Sequence, residues 1–267
     1  MMTDDEVSSA VDALDKAEKT QVQTGLLSLK FPRMTMDNAY KVQKAWVSKK
    51  ILSGQKVIGW KIGLTSKAMQ YALNIDIPDS GVLLDDMKFV NKSTIPAGRF
   101  IQPRIEAEIA FVMKASLSGD VTVEDVKNAT DYVAPSLEIL DTRVLRVDPD
   151  TGQSRVIVDT ISDNAANAGV ILGSERHSVD SFDLRRVGAI VSRNNEVEET
   201  GLGAGVLGDP ILGIVWLAKR MAQYDQKIEP GQIILSGSFI RAIEAHPGSH
   251  IFADFGDFGN VSVEFGN

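Results

Sequence analysis

The chain has 267 residues, with 28 Lys and Arg against 36 Asp and Glu, a formal charge of −8, 43% hydrophobic residues and no cysteine. Disulfides and Cys-ligated zinc or iron–sulfur sites are therefore excluded. The acidic balance argues against nucleic acid, whose binding needs clustered Lys and Arg to release phosphate counterions. The start, Met1-Met2-Thr3-Asp4-Asp5-Glu6, lacks the basic and apolar regions of a secretory signal, and no apolar run long enough to span a membrane follows. A soluble, cytoplasmic protein without nucleic-acid or membrane partners is expected.

Thr3, followed three residues later by Glu6, predicts a capped helix start, and Val7, Ala10, Val11, Leu14 and Ala17 then share one face. After Phe31-Pro32 a second helix is predicted from Thr35, with Ala39, Val42, Trp46, Val47 and Ile51 at helical spacing. These apolar faces are candidate subunit contacts. From Lys56 the pattern changes: Val57 to Leu64 is a short apolar run with Lys61 inside it and glycines on both sides, which predicts a buried strand. A turn and short helix over Thr65 to Leu73 and a Pro78-Asp79-Ser80-Gly81 loop precede Val82-Leu83-Leu84.

Strands are predicted over Ile105 to Met113 and Val133 to Leu140, with a helix capped by Thr122 between them. Asp148-Pro149-Asp150-Thr151-Gly152 marks a loop, and the Ala- and Asn-rich stretch from Thr160 to Leu172 is predicted helical in part. A strand pair turns at Asn194-Asn195, Asp209-Pro210 starts a helix to Tyr224, and short strands fill the remainder. The expected organisation is a helical region over residues 1–55 followed by a catalytic core over 56–267. The fold class is α+β, since the helical patterns do not alternate regularly with the strands.

Glu106 and Glu108 are two apart, so on a strand both project from one face. Like charges so placed call for a positive neutraliser, and a hard divalent cation fits; Glu138, on another predicted strand, could complete a set of oxygen ligands. On pattern alone a solvated strand face is the commoner explanation. Lys61, in its apolar strand, should have its pKa lowered by desolvation and so carry protons, although an ion-paired or snorkelling lysine fits the same pattern. Asp79 is an acid/base candidate or a turn former, as is Asp85-Asp86. His177, His246 and His250 have no metal-site spacing on a helix, and Gly201 to Gly205 lacks a following Lys-Ser/Thr. That glycine segment reads as a tight backbone passage beside a site.

Taken in order, Gly59-Trp60-Lys61-Ile62-Gly63-Leu64-Thr65-Ser66-Lys67-Ala68-Met69-Gln70, Gly81 to Met87, Pro103-Arg104-Ile105-Glu106-Ala107-Glu108, Ser162 to Gly169 and Glu199 to Pro210 resemble one family, the hydratase/decarboxylase family of meta-cleavage pathways, related to fumarylacetoacetate hydrolase. The resemblance runs from about Phe31 to the C-terminus. It implies a fumarylacetoacetase-like mixed β core, a roll or sandwich, with N-terminal and peripheral helices. It further implies Glu106, Glu108 and Glu138 as ligands of Mg2+ or Mn2+, Lys61 and Asp79 as catalytic groups, and a homo-oligomer such as a decamer. The implied substrate is a small 2-hydroxy-2,4-dienoate or 2-oxo-4-enoate, which gains water to give a 4-hydroxy-2-oxo acid.

For a dicarboxylic substrate Arg104, Arg143 and Arg241 are candidate forks for the far carboxylate, and Ser162 is a further substrate-contact candidate. Trp60, Ile240 and Ala242 depart from the family pattern in ways that bear on pocket shape. The alternatives are decarboxylation on the same scaffold, against which Ser236-Gly237-Ser238-Phe239 looks hydratase-like; hydrolytic C–C cleavage, for which no early histidine is present; and a non-catalytic subunit.

Overall fold

A computed structural model of the chain describes residues 2–67, 70, 71 and 77–267. Helix α1 (Asp4–Thr20) starts with the expected reciprocal bonds, Glu6 N to Thr3 Oγ1 at 3.2 Å and Thr3 N to Glu6 Oε2 at 2.8 Å. A short helix α2 (Leu27–Lys30) follows, and Thr35 with Asn38 repeats the cap for α3 (Met36–Leu52). The apolar stripes of α1 and α3 bury Val7, Val11 and Leu14 with Val42 and Trp46. These residues are buried within the chain, while Ile51 at the same helical spacing of α3 stays 44% exposed.

Strands β1 (Val57–Gly63) and β2 (Asp79–Leu84) form an antiparallel pair. Of the helix predicted over Thr65 to Leu73, residues 68, 69, 72 and 73 lie outside the described residues. Next come β3 (Lys88–Phe89), β4 (Thr94–Ile95), β5 (Arg104–Met113), α4 (Val123–Ala129) and β6 (Thr130–Leu140). Helix α5 (Ile157–Ser162) ends early, and Asn164, Ala165 and Ala166 all take left-handed backbone angles before β7 (Asn167–Leu172). The stretch from Thr160 is thus helical in part, as expected, and its remainder is a strand, because β6 recruits residues 167–172. Strands β8 (Gly188–Arg193) and β9 (Glu196–Leu202) turn at Asn194-Asn195, both at positive φ. The remaining elements are α6 (Pro210–Ala222), β10 (Ile233–Leu235), β11 (Ile243–Glu244), β12 (His250–Asp254) and β13 (Asn260–Phe265).

Among the described residues the strands form two sheets. The larger runs β2-β1-β10-β5-β6-β7-β3, with β11 also on β5, and the smaller runs β4-β13-β12-β8-β9. The large sheet is mixed, since β1 lies parallel to β10 and β3 to β7 while β5 is antiparallel to its partners. Strand β5 is the spine. Its odd-numbered side chains, Ile105, Ala107, Ile109, Phe111 and Met113, enter the main core together with Val261 and Val263 of the small sheet. Its even-numbered ones carry Arg104, Glu106 and Glu108 on the other face and then Ala110 and Val112, which pack with Leu83, Val170 and Leu235. No helix among the described residues is long and apolar enough to cross a membrane.

Arg143 is fully engaged in holding this frame. It is buried against the Trp46 ring, with Nε on Asp163 Oδ1 at 2.5 Å, Nη2 on the Asp163 carbonyl at 2.8 Å, and both Nη atoms on the Asn167 carbonyl at 3.2 Å. Its expected role as a substrate fork is thereby corrected, because no donor face is left toward a cavity. Ser162 is likewise buried with its hydroxyl donated to the Val158 carbonyl at 2.7 Å, which removes it from the substrate contacts. Replacing Asp163 with Ala strands a buried guanidinium and should cost about 3–5 kcal/mol. A thermal midpoint within a degree or two of the parent would show that the pair holds nothing.

Candidate active site

The pairing of β5 with β6 sets Glu106 directly opposite Glu138 and Glu108 opposite Ser136. Residues opposite one another in an antiparallel pair point to the same face. The two-residue repeat of β5 and this register together bring one carboxylate oxygen from each of Glu106, Glu108 and Glu138 within 4.8 Å of one another. Glu108 and Glu138 are wholly buried, and Glu106 is half-buried at the cavity end.

Glu108 Oε2 accepts a bond from Gly237 N at 2.7 Å, whereas Glu108 Oε1 and both oxygens of Glu138 have no hydrogen-bond partner. Buried carboxylate oxygens without donors are costly. An all-oxygen set of this kind suits a hard divalent cation with positions left for a ligand. Gly237 has φ +118, and a Cβ there would lie 2.2 Å from Thr65 Oγ1, so only glycine permits this close approach.

Lys61 reaches the cluster from β1 and is 3% exposed, with Nζ 3.4 Å from Glu138 Oε1. Burial pulls its pKa down, but Glu138, Asp79, Glu106 and Glu108 together push it above the ordinary lysine value. The expected lowering is thus corrected: opposite charges outweigh desolvation, and the ammonium stays protonated.

Asp79 opens β2 opposite Gly63 and is 2% exposed, a buried strand residue rather than a turn former. Burial raises its carboxyl above the usual range, against the charges of Lys61 and Arg155. Its Oδ1 has no partner. A Cβ on Gly63 would lie 2.2 Å from that oxygen and 3.0 Å from Lys61 Nζ, so the ammonium and the carboxylate converge over one glycine. Asp85 has a local role instead, accepting from Lys56 N at 2.9 Å.

Further residues hold these groups in place, and the sequence reading did not single them out. Asn164 clamps β2 by accepting from Val82 N at 2.7 Å and donating to the Val82 carbonyl at 2.9 Å. Gln43 of α3 donates to the carbonyls of Ser80 and Ile161 at 2.8 and 3.0 Å. A sequence signal existed for Asn164, since asparagine tolerates the left-handed backbone it adopts.

A cavity of about 670 Å³ opens over Glu106 and is lined by Ser66, Arg104, Glu199, Ser238, Phe239 and Arg241 among others. Gly205 also lines it, and a Cβ on Gly201 would meet the Phe239 carbonyl at 1.8 Å, so the glycine segment is a tight passage at the rim. Arg241 sits there with its side chain 70% exposed, bound to Glu199 at 2.7 Å. Trp60 faces away into a separate apolar cavity and bonds Gln232 Oε1 at 3.2 Å. His177 is packed among Phe182 and Phe258, outside the site.

No family model matches the chain. It is 51% identical over 253 residues to the 2-oxo-hept-4-ene-1,7-dioate hydratase of Escherichia coli, an alignment covering 94% of this chain and 95% of that protein. The solved 4-oxalocrotonate decarboxylase from Pseudomonas putida G7, complexed with magnesium and adipate, superposes with a TM-score of 0.93 at 32% identity over 99% of both chains. A fumarylpyruvate hydrolase from Pseudomonas aeruginosa shares the fold alone, with a TM-score of 0.57 at 11% identity over 78% of this chain and 88% of that one. The α+β fold is therefore fumarylacetoacetase-like.

The charge cluster makes stability depend on pH. Burial and then the like charge of Glu138 raise Glu106 from 4.5 to about 8. The folded protein keeps a proton there that the unfolded chain releases near 4.5, so stability falls as pH rises between these values. The raised Lys61 contributes a constant increment throughout this window. In EDTA the thermal midpoint should drop from pH 5 to pH 8, and added Mg2+ should raise it more at pH 8 than at pH 5. An equal rise at both would contradict this account.

Proposed function

Because the chain belongs to the hydratase/decarboxylase family of meta-cleavage pathways, we propose that it is a hydro-lyase that adds water to 2-oxohept-4-ene-1,7-dioate or its 2-hydroxy-2,4-dienoate tautomer. The product is the 4-hydroxy-2-oxo acid, and the setting is the degradation of homoprotocatechuate in the cytoplasm. The observation that carries this reading is the three-glutamate cluster, whose buried oxygens at Glu108 Oε1 and Glu138 accept no hydrogen bond, beside Lys61 and Asp79. Glu106, Glu108 and Glu138 hold the cofactor, Mg2+ or Mn2+. Bound there, the cation supplies Lewis-acid polarisation to the carboxylate and ketone oxygens of a 2-oxo acid.

The remaining chemistry belongs to side chains of the chain itself. The hydroxyl proton of the dienol leaves C2 oxygen and a proton arrives at C5, giving the conjugated 2-oxo-3-enoate. The oxygen of water then bonds to C4, its proton departs and C3 takes up a proton, so the net change is the gain of one water. Asp79, its carboxyl raised by burial and its Oδ1 without a hydrogen-bond partner, is suited to accept and return a proton. Lys61, held as ammonium by its carboxylate neighbours, is suited to donate hydrogen bonds to the substrate head and to balance its negative charge. The wholly buried walls around Glu108 and Glu138 exclude bulk water, which strengthens these electrostatic effects.

The test is the ultraviolet absorbance of 2-hydroxyhepta-2,4-diene-1,7-dioate, followed with Mg2+ or EDTA, together with the mass of the product. A gain of one water, abolished by chelator and by Glu106→Gln, is expected. Lys61→Met and Asp79→Asn should each lower kcat by about 10²–10⁴-fold. Loss of CO2 instead would assign the chain to the decarboxylase branch, and absence of turnover with dienoates of five to seven carbons would overturn the reading. Assembly into a homo-oligomer such as a decamer is part of the same proposal. It is supported by apolar side chains left exposed at the end of α3, with Leu52 90% exposed, and a monomeric mass by light scattering would refute it.

A further inference from the structure

The three glutamates lie at the inner end of a row. Arg104, Glu106 and Glu108 share one face of β5, so Arg104 stands one strand repeat, about 7 Å, outward of Glu106. Arg104 and Glu106 line the same cavity. The strand therefore presents a cation-holding group and then a guanidinium, in the order in which a 2-oxo diacid presents its chelating head and its second carboxylate.

Arg104 also has binding capacity left. Its Nη2 bonds Glu244 Oε1 at 2.8 Å, its partner in the β5–β11 register, while its Nε is buried without an acceptor. Glu244 has a second cation, because Arg146 Nη1 lies 3.4 Å from the same oxygen. If Arg104 turns to an incoming carboxylate, Glu244 keeps Arg146 and is not stranded.

Arg155 joins this group from the other end of the 146–155 loop. The loop is closed at its base by Arg155 N on the Arg146 carbonyl at 2.8 Å and by a Val147–Ser154 bridge. Arg155 Nη1 bonds Thr142 Oγ1 at 2.6 Å, and its charge reaches Asp79. Burial lowers the pKa of both Arg146 and Arg155, and Arg104 lowers each further, which is the signature of guanidiniums crowded together. Among the described residues, Glu244 is the one carboxylate that ion-pairs directly with any of the three.

We propose that Arg104, backed by Arg146 and Arg155, receives the distal carboxylate of a dicarboxylic 2-oxo acid and so sets the preference for diacids over monoacids. The assignment rests on the 2-oxo-acid reading of the site given above. It displaces two rivals: Arg143 has its guanidinium consumed by Asp163 and Asn167. Arg241 is 70% exposed and puts both Nε and Nη2 on Glu199 Oε1, where solvent screens it.

The test uses ligands that cannot be hydrated, 2-oxoheptanedioate and 2-oxoheptanoate, which differ only in the far carboxylate. Both are titrated calorimetrically into the full-length protein with saturating Mg2+. The parent should bind the diacid at least about tenfold more tightly, as befits a charge-assisted pair in a partly closed cavity. In R104Q that ratio should fall to about one, in R104K it should be intermediate, and in R241Q it should persist. A ratio, unlike an affinity, is not moved by general damage to the site; if R104Q does not fold, R104K decides, and an unchanged ratio there overturns the assignment. So do a parent ratio of about one, a full ratio in R104Q, or its loss in R241Q. If the parent binds neither compound, the 2-oxo-acid reading falls and the assignment falls with it.

Discussion

Three carboxylates face one another across two neighbouring strands with most of their buried oxygens unpaired, and much of the architecture is arranged around that cost. The β5–β6 register creates the crowding, because a slip of one residue would send Glu138 to the opposite face from Glu106. Glycines at 63, 81 and 237 let backbone, ammonium and carboxylate approach where any Cβ would intrude. Lys61 supplies one compensating charge, and the oxygen-only character of the remaining acceptors selects for a hard cation as the other.

The molecule has a second buried charge centre, and comparison of the two separates structure from chemistry. Arg143 and Asp163 satisfy each other and the neighbouring carbonyls almost completely, so that pair fixes the turn before β7 and offers nothing to a ligand. The glutamate cluster is equally buried but left unsatisfied. A buried network that is complete rigidifies the fold, whereas one with open valences has been kept for something that arrives later. The pairing of Arg104 and Arg146 with Glu244 is an intermediate case, with one carboxylate shared between two guanidiniums and the buried Arg104 Nε left open.

Strand β5 shows how a single segment serves both purposes. Its odd residues are all apolar and join the core between the two sheets, and its even residues carry charge at the outer half and small apolar groups at the inner half. The chemistry is thereby attached to a strand whose other face is packed in the core. Helix α3 and Asn164 extend that support to β2, the strand that Asp79 opens, through Ser80 and Val82.

The sequence by itself determined the helix starts at Thr3, Thr35 and Asp209, the strand character of residues 57–63 and 105–113, and the placing of Glu106 and Glu108 on one face. These features depend on periods of two or 3.6 residues and on caps within three residues, which are local and therefore legible. The resemblance already implied Glu138 as their partner, but only the tertiary structure decided the register that brings it to them, that Lys61 is held charged rather than neutral, and that residues 167–172 form a strand. It also decided that Arg143 and Ser162 point into the frame while Arg146 and Arg155 come together at the base of one loop. Each of those outcomes depends on strand register or on the summed field of groups distant in the chain, and neither leaves a trace in local spacing.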